Sequence, residues 1–313
     1  MFSEFKNLRE MMAAYSDEDK CRAYMEQMRW GGNPTCPFCG MHNPYRLKNG
    51  KTLRCKLSTC RRDFTVTVGT VFENSKVKLS VWMAALYLCT GHKKGVSSHQ
   101  LARDLGLTQK TAWFVEHRIR LLMGDPEPDV AMDNVVEVDE TYVGGKWDKM
   151  TRARRKKHQE SGKDNKVAVM GLLERDGKAK LTVIGENTFK DVVRQNVAPS
   201  AVIITDAHKG YIGLNEEYQA HEAVNHMAME FRRGIAYTNS VEGFFSVFKR
   251  TIFGTYHQVS PKHLHRYCAE TSYRFNTRKM TDAARFQAVI SNPQGRLTYK
   301  KLISNALKSN ENE

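Results

Sequence analysis

Four cysteines form two close pairs, Cys36-Pro37-Phe38-Cys39 and Cys55 with Cys60, in the pattern C-x2-C-x15-C-x4-C. Each pair can set two thiolates on one side of a tetrahedral ion, so the spacing suits one zinc on two knuckle turns. Four thiolates close the shell and leave no position for a reacting ligand, so this zinc would be structural. The other cysteines, Cys21, Cys89 and Cys268, are dispersed and do not suggest a disulfide framework. A second group is acidic. The segment Val135-Val136-Glu137-Val138-Asp139-Glu140-Thr141-Tyr142-Val143 sets carboxylates into an apolar strand, where an unpaired buried charge is costly. Asp206 ends the run Val202-Ile203-Ile204-Thr205, at the carboxyl end of a strand, where open α/β sheets present ligands. Glu242 lies in the helical stretch Asn239 to Arg250, with Asn239 as its natural N-cap. Carboxylates gathered by a sheet and a helix repel one another unless divalent cations bridge them, and hard oxygen ligands select Mg²⁺ or Mn²⁺. Glu137 shares a strand face with Asp139 and is an alternative ligand, whereas Glu140 is expected to point the other way.

These groups need elements to position them. Residues 1–29 read as a short helical segment, 30–72 as a zinc ribbon, and 78–123 as helical. The stretch Gly124 to Asp129 (GDPEPD) breaks that pattern as a linker would, and a period of two follows. Strands are expected over Val135–Val143, Lys166–Glu174, Lys178–Glu186 and Ala201–Asp206, with a hairpin turn at Arg175-Asp176-Gly177. From Asn239 onward the chain reads as helix, so a carboxylate domain spans 130–290 and a helix with a polar tail spans 291–313.

The chain of 313 residues carries 49 Lys plus Arg against 34 Asp plus Glu, a net charge of +15 that points to a polyanionic partner. A hydrophobic share of 41% excludes a wholly disordered chain. The longest apolar run, Val81 to Cys89, is far short of the ~20 residues of a membrane helix. The N-terminus lacks the apolar core of a signal peptide, so the expected location is the cytoplasm, without a membrane partner.

Between Ser97 and Ala112 two capped helix starts flank a glycine turn, the outline of a helix-turn-helix. Leu101, Ala102, Leu105, Leu107, Ala112 and Val115 would face inward. Gln109, Lys110 and Thr111 then open the second helix, where DNA-binding versions reach base edges. An ordinary helical hairpin is the alternative, and nearby Lys93, Lys94, Arg118 and Arg120 favour DNA. On the ribbon, Arg54, Lys56, Arg61 and Arg62 suit a DNA-contacting or dimer-contacting surface. The segment Lys146 to Lys166 holds nine Lys or Arg against three Asp or Glu. Its Arg154, Arg155, Lys156 and Lys157 either grip phosphates or form a solvated charge run.

The order of Asp139 in VDETYVGGK, Asp206 in ITDAHKGY, and Glu242 with Lys249 in NSVEGFFSVFKR resembles the DDE transposases of bacterial insertion sequences. More narrowly, the chain is similar to the subgroup related to eukaryotic Merlin elements, which carries an N-terminal zinc ribbon. The likeness runs from Arg29-Trp30-Gly31-Gly32 through Arg274-Phe275-Asn276-Thr277-Arg278 and includes the spacing of 36 between Asp206 and Glu242 and the segment GTYHQVSPKHLHRY. It implies an α/β fold with a ribonuclease-H-like catalytic domain behind the ribbon and helix-turn-helix. It further implies that Asp139, Asp206 and Glu242 hold two Mg²⁺ or Mn²⁺ ions for cleavage and strand transfer. The DNA would be the terminal inverted repeats and a target duplex, worked on by at least a dimer. Lys249, about 10 Å along the helix from Glu242, would hold a DNA phosphate. Members often have a histidine before the Thr-Asn of the third motif; Tyr237 stands here, so no role of that histidine carries over. Two rival functions use the same parts: a non-enzymatic transcription regulator, and a metal-dependent nuclease that cuts without joining.

Overall fold

The structure is a computed structural model that describes residues 5–124, 131–145, 150–153, 155–156, 166–185, 188–224, 232–234, 236–291, 293 and 295–304. It divides into two compact units, residues 1–123 with 279–313, and residues 124–278.

In the first unit, helices α1 (Leu8–Ala14) and α2 (Glu18–Trp30) precede a small antiparallel sheet of β1 (Tyr45–Arg46), β2 (Leu53–Arg54) and β3 (Asp63–Phe64), paired in that order. Helix α3 (Leu79–Gly91) is buried without a break from Trp82 to Thr90, the pattern of a helix packed on all sides. Its Lys78 N-cap makes no side-chain bond. Glu18 fills that role, accepting from the N–H groups of Leu79 (2.9 Å) and Ser80 (2.8 Å). Helices α4 (Ser98–Leu105) and α5 (Gln109–Leu122) follow, capped by Ser97 and Thr108, with left-handed Gly106 between them.

The second unit is built on five strands: β4 (Val135–Gly144), β5 (Lys166–Glu174), β6 (Ala179–Val183), β7 (Val202–Asp206) and β8 (Ala220–Val224). Their order is β6-β5-β4-β7-β8. β4, β5 and β6 pair antiparallel, while β7 and β8 run parallel to β4. Helix α6 (Phe189–Asn196) brings Val192 and Val193 onto one face of the sheet, against Val136, Val138, Met170 and Ile203. Helices α7 (Asn239–Thr251) and α8 (Leu264–Asn276) cover the other face, where Val241, Phe244, Phe245 and Phe248 meet Val169, Leu173 and Leu181. This mixed α/β arrangement fits the ribonuclease-H-like expectation. Edge strand β8 escaped the sequence reading because Ala220-His221-Glu222-Ala223-Val224 lacks a β-branched run.

The chain then returns to the first unit through α9 (Asp282–Ile290) and α10 (Tyr299–Ile303). Residues 279–290, assigned above to the carboxylate domain, instead join α1 to α3. The Phe286 ring lies 5.4 Å from Phe5, 5.8 Å from Tyr15 and 6.1 Å from Tyr24, an aromatic cluster that no local pattern announces. Among the described residues no helix is long and apolar enough to cross a membrane. The expected tail, residues 305–313, lies outside the described residues.

Candidate active site

The parallel pairing of β4 and β7 sets Glu137 opposite Ile204. Asp139 and Asp206 each lie two residues further along, on the same face, where β7 ends. Carboxylate oxygens of Asp139, Glu140 and Asp206 all lie within 4.8 Å of one another. Glu140 therefore corrects the sequence reading. The ladder between β4 and β7 stops at Glu137, so beyond it the flank of β4 is open and a side chain from the other face reaches the same group. Tyr211 holds Glu140 there, its hydroxyl donating to Oε2 (2.8 Å). Asp139 Oδ1 accepts the Glu140 N–H (2.8 Å), and Asp206 Oδ1 accepts the His208 N–H (3.0 Å).

Burial, and then the negative charges of Glu140, Asp206 and Glu242, push the Asp139 carboxyl from 3.8 up to about 7, against the lowering effect of the Glu140 N–H. The Tyr211 phenol is pushed up by burial and by the Glu140 charge, which keeps it a proton donor. The donor set is hard oxygen, the chemistry that Mg²⁺ or Mn²⁺ prefers. Glu242 is exposed on the first turn of α7, where Thr238 Oγ1 donates to its Oε1 (3.3 Å). It lies outside the three-carboxylate group, yet its charge raises the Asp139 carboxyl.

Glu137 is not an alternative ligand. Fully buried, it pairs through Oε1 with Arg175 Nε (2.8 Å) and accepts through Oε2 from the N–H groups of Ser240 (3.0 Å) and Val241 (3.1 Å). Asn239, expected as the N-cap, is the first helical residue, and the cap position Thr238 makes no side-chain cap bond. A strand carboxylate thus does the capping, where the helix dipole favours negative charge. Arg175 also donates to the Tyr237 carbonyl (3.1 Å) and lies over the Tyr237 ring at 3.7 Å, which gives that tyrosine a structural role. Sequence reasoning also missed Tyr211, although it ends the ITDAHKGY segment; five positions past Asp206 was the one available signal.

In the ribbon, the Sγ atoms of Cys36, Cys39, Cys55 and Cys60 lie within 4.8 Å of one another, with Cys36 to Cys60 at 3.9 Å and Cys39 to Cys55 at 3.4 Å. Zn–S bonds of about 2.3 Å set tetrahedral sulfurs roughly 3.8 Å apart, so the four residues fit zinc. Burial is outweighed at Cys36 by the N–H groups of Phe38 and Cys39, which hold its thiol below the ordinary value, whereas burial pushes the Cys55 thiol up to about 12 in spite of the Leu57 N–H.

The residues expected to face DNA divide. Gln109 and Lys110 are exposed and Thr111 is half-buried. Gln109 Nε2 donates to Ser98 Oγ (2.9 Å), the Lys110 ammonium sits 4.8 Å from the Tyr299 ring centre, and the hydroxyls of Thr111 and Thr108 bond at 2.8 Å. Arg118 and Arg120 are buried, contrary to their reading as basic surface. Arg118 Nε donates to the Leu297 carbonyl (3.1 Å), and Arg120 pairs with Glu116 (3.1 Å). On the ribbon, Arg54 is paired with Asp63 (2.6 Å). Arg155, Lys156 and Lys249 are exposed, while Arg154 and Lys157 lie outside the described residues.

Residues 131–276 match the model of the ISXO2-like transposase domain, and residues 16–63 match that of the transposase zinc-ribbon domain. A protein described as an uncharacterized protein in transposable element ISH50, from Halobacterium salinarum, is 26% identical over 251 residues, covering 75% of this chain and 83% of the relative. No solved structure matches the chain. With a ribbon that fits zinc ahead of a carboxylate-bearing domain on a mixed sheet, and both domains matched in that order, the chain belongs to the insertion-sequence DDE transposases with an N-terminal zinc ribbon.

Proposed function

We propose that this chain binds the terminal inverted repeats of an insertion sequence, cuts the DNA at the element's ends and joins the freed 3′-hydroxyls to a target duplex. The observation that carries this reading is the convergence of Asp139 and Glu140, midway along β4, with Asp206 at the carboxyl end of β7. Asp139, Asp206 and Glu242 are assigned as the catalytic residues, with places for two Mg²⁺ or Mn²⁺ ions. Divalent cations held by these carboxylates would supply Lewis acidity to the attacking and leaving oxygens of an in-line phosphoryl displacement. Tyr211 keeps the Glu140 carboxylate turned toward Asp139 and Asp206. Glu137 holds the first turn of α7, and therefore Glu242, against β4. Lys249, two turns along the same helix, holds a DNA phosphate.

Recognition falls to the first unit. Helices α4 and α5 act as a helix-turn-helix that presents Gln109, Lys110 and Thr111 to base edges, beside the zinc ribbon. Arg154, Arg155, Lys156 and Lys157 add sequence-independent phosphate contacts. Because two ends are cut and joined together, at least a dimer is needed.

The test is incubation of the full-length protein with duplexes carrying the element's own ends and a plasmid target, with Mg²⁺, with Mn²⁺ or with chelator. Metal-dependent nicking at the ends followed by joined products is expected. Cleavage without joining would favour the nuclease, and binding without cleavage would favour the regulator.

A further inference from the structure

The first two turns of α5 are covered by a segment from the far end of the chain. Arg118 Nε reaches the Leu297 carbonyl (3.1 Å), and Thr298 then starts α10 by accepting the Lys301 N–H (3.2 Å). Tyr299 follows, its ring meeting Phe114 edge-on at 5.5 Å and carrying the Lys110 ammonium at 4.8 Å. Lys110 and Phe114 are one helical turn apart on α5, so a single ring spans both. Tyr299 is half-buried and Leu302 is buried, which makes them the inner face of α10. Lys300 and Lys301 are exposed on its outer face.

Lys300 and Lys301 thus directly follow the tyrosine whose ring carries Lys110, the neighbour of Gln109 at the start of α5. None of the three ammonium groups has a carboxylate partner among the described residues. Like charges held together without counter-charges suit a polyanion, and a duplex engaged by the opening residues of α5 runs its backbone past this place. We propose that α10 is a second DNA-contacting element, in which Lys300 and Lys301 hold backbone phosphates flanking the groove entered by α5, while Tyr299 keeps Lys110 at the rim of that groove. The proposal rests on the reading of α4 and α5 as a DNA-binding hairpin.

The experiment titrates full-length protein against an end duplex and a random duplex of equal length over a range of salt concentrations. The Lys300→Ala/Lys301→Ala variant should lose affinity for both duplexes by a similar factor and keep its preference for the end. The slope of log affinity against log salt should flatten by about 0.9 for each phosphate that the variant no longer neutralises. Lys300→Arg/Lys301→Arg should keep the wild-type slope. An alanine variant with wild-type slope and affinity overturns the proposal, even if Gln109→Ala lowers the preference for ends and so upholds base reading by α5. If the slope flattens while Gln109→Ala leaves preference intact, phosphate binding by α10 stands and base reading by α5 falls. A wild-type protein that binds neither duplex overturns both.

Discussion

Arg175 Nε donates to Glu137 Oε1 over 2.8 Å, while the second Glu137 oxygen caps the helix that carries Glu242, so one ion pair ties that helix to the strand of Asp139. Removing one partner of a buried pair leaves the other uncompensated, which costs about 3–5 kcal/mol. Glu137→Ala should therefore lower the unfolding midpoint strongly or prevent folding. Glu137→Gln, which keeps an acceptor for the helix N–H groups, should fold and need more Mg²⁺ for half-maximal cleavage. Thermal unfolding and a Mg²⁺ titration of cleavage check the two halves; a normal Mg²⁺ curve for Glu137→Gln would refute the positioning role.

Opposite Asp139 on β5 stands Gly171, and a Cβ there would lie 2.7 Å from the Phe245 ring of α7. Only glycine lets that helix approach so closely. Gly171→Ala is expected to destabilise by about 1–3 kcal/mol through overpacking and to impair cleavage by shifting α7. Phe245→Leu added to it should recover part of the stability, because neighbouring substitutions couple. Denaturant titration of the single and double variants measures this, and purely additive losses would contradict it.

The strands bearing Asp139 and Asp206 were legible because β-branched runs with carboxylates in them admit few other readings. Glu140 was not, because alternation of faces assumes a strand flanked along its whole length, and the pairing with β7 stops short of it. The capping of α7 was hidden because its acceptor lies 103 residues before Ser240 in the chain. Arg118 looked like surface charge because its partner was invisible: Leu297 comes from a C-terminal segment whose return to α5 no local pattern encodes.

Asp139 gives a pH dependence in protein kept free of divalent metal. Its carboxyl is raised from 3.8 to about 7 by burial and by the carboxylates around it, so the folded form holds the proton more tightly than the unfolded chain. Its stabilising contribution is complete below about pH 4 and is lost as pH rises through 7. Asp139→Asn stays neutral throughout. The variant's unfolding midpoint relative to wild type should therefore rise between pH 5 and pH 8 in chelator. Scanning calorimetry at several pH values tests this, and a gap that shrank over that range would contradict the sign.

For the ribbon, one zinc per chain is expected by metal analysis of protein purified without chelator. Cys36→Ser opens the shell, and because binding energy at a structural site is folding energy, the packing of Leu53 and Phe64 around Cys36 and Cys55 should loosen. Hydrogen exchange over residues 30–72 should speed up in this variant. Zinc-free wild type with the same slow exchange would rule out a structural ion.

The carboxylates themselves allow a discriminating test, because the three that cluster and the three assigned to catalysis share only Asp139 and Asp206. Asp139→Asn, Asp206→Asn and Glu242→Gln each keep shape while removing a metal-binding charge, so each should abolish cleavage and leave binding to end DNA intact. Glu140→Gln and Tyr211→Phe disturb a neighbour that orients the site, an effect worth about 10–100-fold in rate or metal affinity. Higher Mn²⁺ should restore part of the rate to these two and none to the first three. Cleavage rates across a Mn²⁺ series, alongside binding titrations in chelator, separate the groups. If Glu140→Gln were dead at all Mn²⁺ concentrations while Glu242→Gln still cut, Glu140 would be the third ligand and Glu242 would lie outside the metal site.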